Sequence, residues 1–165
     1  MKMMKAIGNI VLLTVLLLTI GLSVSEAEVT VYDAEGHELG ILIGNSSSNT
    51  LDVYIPSVDR TLNINVSTGD ILGRDMYFGS YDCSGTAYTI AEASYRIIKN
   101  GEGYYTGKKV APSYMQINSA LRSYNSACEL LNTVRYVVPL QDTELPFPLP
   151  VSLPLSFYIE KKWKE

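Results

Sequence analysis

Histidine is nearly missing: the 165 residues contain one, His37, beside one tryptophan, three phenylalanines and two cysteines. A single histidine leaves no set of imidazole ligands for a metal ion, and no base downstream of either cysteine. Basic residues are also scarce, 13 against 17 acidic, for a net charge of −4. A chain of that sign has no electrostatic footprint for nucleic acid. The one basic cluster, Lys161, Lys162 and Lys164, stands at the very end, where it reads as a solvated tail. With Cys83 and Cys128 as the only cysteines, at most one crosslink can form within the chain.

What is present begins with Lys2 and Lys5, an apolar run from Ile10 to Leu22, and Ser25 and Ala27 one position apart. This is the three-part pattern of a secretory signal, with cleavage expected after Ala27. Left uncleaved, the same run of about 19 fairly apolar residues would serve as an anchor, the chain's one route into a membrane. No cysteine follows it to carry a bacterial lipid. Removal of residues 1–27 from the 165 leaves 138, enough for one domain with a real core. Lys2, Lys5 and Glu26 leave with the segment, so the 13 basic and 17 acidic residues become 11 and 16 and the net charge −5. An exported chain meets an oxidising compartment, secreted or periplasmic, and there Cys83 and Cys128 are expected to pair. In the chain-entropy picture, closing a loop of about 45 residues is worth on the order of 4 kcal/mol at most.

Glu28–Tyr32 alternates apolar and polar residues, Asp33-Ala34-Glu35-Gly36 supplies a turn, and Glu38–Ile43 resumes extended structure: a hairpin. Asn45–Asn49 reads as a polar loop. Thr50–Ile55 and Thr61–Val66 are again period-2 runs, joined across Pro56-Ser57-Val58-Asp59-Arg60. Asp70–Phe78 holds another strand. Thr89–Lys99 has Ala and Glu suited to a short helix, yet Tyr95–Ile98 followed by Asn100-Gly101-Glu102-Gly103 and Tyr104-Tyr105-Thr106 favours a hairpin. Met115–Leu121 and Glu129–Val138 read as extended, with a break at Tyr124-Asn125-Ser126. Short strands at regular turn spacing predict an all-β fold, a small antiparallel sandwich or barrel-like domain with one disulfide, over residues 28–143.

Residues 144–165 form a separate proline-rich segment and basic tail. Pro146, Pro148, Pro150 and Pro154 cannot donate to a ladder, so an edge strand or polyproline stretch is expected. Leu145, Phe147, Leu149, Val151, Leu153, Leu155 and Phe157 alternate with prolines and serines and would share one side of an extended chain. Such a face needs a cover, either the domain's own body or a second copy docking on residues 145–157.

The stretch Asp82-Cys83-Ser84-Gly85 resembles the way cysteine peptidases of the NlpC/P60 type present their nucleophile. In that family the cysteine opens a buried helix and a downstream histidine takes its proton. Here His37 lies upstream in a hairpin turn, and TAYTIAEAS after the motif lacks a continuous apolar helix. The same letters suit a turn: Asp82 and Ser84 can bond nearby amides, Gly85 reverses the chain, and Cys83 faces Cys128. Acids such as Asp70, Asp75, Asp82 and Glu92 are what any acidic exported domain offers a solvent. The compositional oddity is tyrosine, twelve in all. Tyr77, Tyr81, Tyr88, Tyr104 and Tyr105 gather around the DCSG turn and form the candidate binding surface, since a tyrosine joins an apolar ring to a polar tip.

Taken together, VYDAEGHELGILIG, VYIPSVD, INVSTGDI, DMYFGSYDCSGTAY and KNGEGYYTGKKVAP resemble a module recurring in uncharacterised exported bacterial proteins. It pairs a V-x-D-A-x-G-x-x-x-G hairpin with a later Y-F-x-S-x-D-C-S-G-x-x-Y block; Gly79 and Tyr81 stand where more polar residues are usual. The resemblance covers most of residues 29–112 and implies a β-rich secreted or surface role without a known activity. Two functions follow from the sequence. The first is a non-enzymatic module, structural or surface-binding, with no cofactor and a cell-envelope glycan or protein as partner. The alternative is a cell-wall hydrolase using Cys83.

Overall fold

The computed structural model describes residues 27–161. Residues 1–26 and 162–165 lie outside the described residues, and with them nearly all of the expected signal segment and the end of the basic tail. The fold is all-β, as the strand spacing predicts, and consists of two antiparallel sheets.

The first sheet contains β1 (Ala27–Tyr32), β2 (Glu38–Ser47), β3 (Thr50–Ile55), β4 (Arg60–Asn65) and β11 (Ser156–Lys161), in the order β11-β1-β2-β3-β4. The β1–β2 turn forms where expected. Asp33 is buried there, and its Oδ1 accepts the amides of Glu35 at 3.0 Å and His37 at 2.8 Å, while Gly36 takes a φ of 87°. The polar loop expected over Asn45–Asn49 is instead mostly strand. Ser46 donates to Asp52 across the ladder at 3.0 Å and Ser47 bonds Thr50 at 2.9 Å, so polar side chains find partners within extended structure. Gly40, at φ +133°, is required on β2: a Cβ there would stand 2.2 Å from the Tyr54 carbonyl oxygen.

The second sheet contains β5 (Met76–Phe78), β6 (Tyr88–Ile90), β7 (Ile97–Asn100), β8 (Gly103–Gly107), β9 (Ser113–Leu121) and β10 (Cys128–Asp142), in the order β6-β5-β9-β10-β8-β7. Because β6 also pairs with β10, strands β5, β6, β9 and β10 close a ring. Of the strand expected over Asp70–Phe78, only its last three residues pair continuously, preceded by single bridges from Ile71 to Ile64 and Gly73 to Lys99. Thr89–Lys99 divides between both expectations: Ala91–Ala93 makes one 3-10 turn, stopped by Ser94, and the β7–β8 hairpin follows.

Strand β7 connects two apolar clusters. Ile97 joins Val31, Leu39, Val53, Leu62 and Ile64, while its neighbour Ile98 joins Met76, Phe78 and Leu140, as side chains alternate along a strand. Arg60, buried at the start of β4, donates to the Gly107 carbonyl at 2.8 Å and ties the first sheet to β8.

The proline-rich segment is not the extended edge that its alternation suggests. Residues 143–155 form no strand, and the peptide bonds before Pro150 and Pro154 are cis. The segment is a strap across the first cluster, with Phe147 and Val151 buried and Leu145, Leu149 and Leu155 packed against them. Prolines withhold the amides that a continuous ladder needs. The strap is therefore pinned at isolated points, where Val151 donates to the Gly69 carbonyl at 2.9 Å and Ala34 to that of Ser152 at 3.0 Å. Pairing resumes only after the last proline, at β11, where Phe157, Tyr158 and Ile159 are exposed.

Candidate binding surface

The DCSG turn is built around a sulfur that is already bonded. Cys83 and Cys128 form a disulfide across a Cα–Cα distance of 5.8 Å. Cys83 sits at φ 56° and Gly85 at φ 82°, so the chain reverses through two left-handed residues. Asp82 Oδ1 accepts the Ser84 hydroxyl at 2.6 Å and its amide at 3.2 Å. These bonds, the Ser84 hydroxyl foremost, hold the Asp82 carboxyl below its ordinary range. Ser119 on β9 completes the turn, accepting the Cys83 amide at 3.1 Å and donating to the Ser80 carbonyl at 2.8 Å.

His37 is elsewhere in the fold. It belongs to the β1–β2 turn of the other sheet, and its Nδ1 lies 2.9 Å from Asp33 Oδ2. That hydrogen bond is the main cause raising the imidazole above its ordinary pKa. For Asp33, burial pushes the carboxyl up, but bonds from the His37 ring and the His37 and Glu35 amides outweigh it and leave it lowered. Among the described residues no group of three His, Cys, Asp or Glu side chains could hold a metal ion.

The five tyrosines chosen from the sequence do not share one surface. Tyr77 and Tyr88 are direct partners across β5 and β6, both half-buried, and Tyr81 is 70% exposed in the crosslinked turn. Tyr104 and Tyr105, adjacent on β8 and also half-buried, pack against the first and second clusters respectively.

A platform of aromatic and amide groups lies on the β9–β10 ladder. Tyr114 and Tyr136 are register partners with ring centroids 4.8 Å apart, and they are 77% and 41% exposed. Beside them Val134 pairs with Gln116, whose amide donates to Asn132 Oδ1 at 2.9 Å. Leu130 and Val134 are exposed as well. In the sequence Tyr114 is only one of twelve tyrosines, and Tyr136 has no signal of its own. Their meeting depends on the β9–β10 register, which shifts between Leu130 and Thr133.

A separate polar cleft of about 260 Å³ opens between β5 and β6, lined by Gly73, Arg74, Asp75, Tyr77, Thr89 and Ser123, among others. Asp75 is held there by the Ser123 amide at 3.0 Å and by Arg122 Nη1 at 2.6 Å. Burial works against its charge, yet those two partners bring its carboxyl below the ordinary range. Arg122 also donates to Glu129 at 2.7 Å, and the two acids raise its pKa. No family model matches the chain, and neither a curated protein nor a solved structure is significantly similar to it.

Proposed function

We propose that the chain is an exported, non-enzymatic β module that binds a cell-envelope polysaccharide through the Tyr114–Tyr136 platform. The observation that carries this reading is the pair of exposed, register-matched rings flanked by the Gln116–Asn132 amides. Flat amphipathic rings beside amide donors and acceptors suit the alternating apolar faces and hydroxyl edges of sugars. The platform lies on a ladder whose β10 strand is tied at Cys128 to the Cys83 turn, so it is presented on rigid structure.

Export rests on the leader pattern of residues 1–27, and a disulfide accords with an oxidising compartment, secreted or periplasmic. The sequence likeness to a module of exported bacterial proteins is in keeping with the same role. The test is co-sedimentation of the full chain with insoluble cell-wall polysaccharide. Wild type is expected to pellet, and the double variant Tyr114→Ala, Tyr136→Ala to bind at least tenfold more weakly with an unchanged circular dichroism spectrum. Equal binding by a folded double variant rejects the platform.

A further inference from the structure

We infer that the cleft between β5 and β6 is a second, independent binding site, for a single sugar ring that carries a carboxylate. Arg74 lines it and is half-buried, yet among the described residues its guanidinium has no acid partner. Beside it in the chain Asp75 is matched to Arg122 and Ser123, and across the Gly73–Lys99 bridge Lys99 is matched to Asp70 at 2.8 Å. The cleft therefore presents one unmatched cation, and a guanidinium fork fits a carboxylate in two parallel hydrogen bonds.

The remaining wall suits a sugar ring better than a bare anion. Tyr77 brings an aromatic side chain whose hydroxyl makes no hydrogen bond among the described residues, and the buried Thr89 backs the wall. At about 260 Å³ the volume falls just under the 300–1,000 Å³ typical of larger ligands, a size suited to one ring. The site is also held in place. Asn100, buried, donates to the carbonyls of Arg74 at 3.1 Å and Leu121 at 3.2 Å, which fixes the backbone beneath the Arg74 side chain.

The test is an amide chemical-shift titration of the full chain, disulfide intact, with D-glucuronate, D-glucose and acetate as separate probes. Glucuronate is expected to give saturable shifts centred on Arg74, Tyr77, Thr89 and Ala93, at least tenfold tighter than either other probe. Arg74→Gln should abolish saturation and Arg74→Lys should retain part of it, while Tyr114→Ala leaves it unchanged. Because no described residue bonds the Arg74 side chain, both Arg74 variants are expected to melt with wild type. Glucose binding as tightly as glucuronate overturns the role of Arg74, and acetate binding as tightly reduces the cleft to a general anion site. Absence of saturable shifts with glucuronate overturns the proposal outright, whatever the platform does.

Discussion

Replacing Phe147 with alanine tests whether the proline-rich strap is part of the core. Phe147 is 6% exposed and Val151 3%, both within the first cluster. Truncating a buried phenylalanine costs about 3–5 kcal/mol, the spread reflecting how far the cavity collapses. For a domain of this size about 1 kcal/mol moves the melting temperature by 3–5 °C. Phe147→Ala is therefore expected to melt about 9–25 °C below wild type by circular dichroism. Gly69→Ala reaches the same strap at the Val151 backbone. Gly69 has φ +74°, and a Cβ there would stand 2.1 Å from the Val151 carbonyl oxygen, so the strap must lift. Once it has lifted, removing the Phe147 ring should cost little more, and the double variant should fall well short of the sum of the singles. A Phe147→Ala shift under about 4 °C, or strict additivity with Gly69→Ala, would refute the strap as a cooperative core element.

Two further perturbations address the crosslink and the first turn. Cys128→Ser should remove up to about 4 kcal/mol and lower the melting temperature by up to about 12–20 °C, and a variant that melts with wild type would show that the 45-residue loop gains nothing from its closure. His37→Gln should remove a pH dependence. The raised imidazole favours the folded state fully below its unfolded value near 6.5, and that contribution is lost as pH rises through its higher folded value. Melting scans from pH 5 to 9 should show wild type falling relative to His37→Gln over that interval, and parallel curves would contradict the turn geometry.

Local chemistry accounts for what could be read in advance. The β1–β2 and β3–β4 hairpins follow from period-2 runs joined by turn residues, and Thr30 pairs with Ile41 and Thr50 with Asn65, so each closes within one short continuous stretch. The disulfide was expected from the only two cysteines and from a leader pattern that implies export. Elements settled by distant partners were hidden. Ser46 extends β2 because Asp52 and Asn63 supply bonds from other strands, and the Asn45–Asn49 composition alone reads as loop. Leu145 to Leu155 alternate as an edge strand would, yet Gly69 and Ala34 anchor an irregular path. Tyr104 and Tyr105 resemble surface tyrosines until the two clusters on either side of β8 are in place. The platform was the least legible feature, because Tyr114 and Tyr136 are 22 positions apart and meet only through one β9–β10 register.

The choice between a binding module and a hydrolase rests on Cys83, and one incubation decides it. The full chain as exported, with its free thiol counted but not selected against, is mixed with purified cell-wall fragments; bound protein and released soluble peptide are both measured, with and without iodoacetamide. Binding without peptide release, indifferent to iodoacetamide, is the predicted result. Release of peptide that iodoacetamide abolishes would mean that Cys83 acts as a nucleophile and would contradict the account.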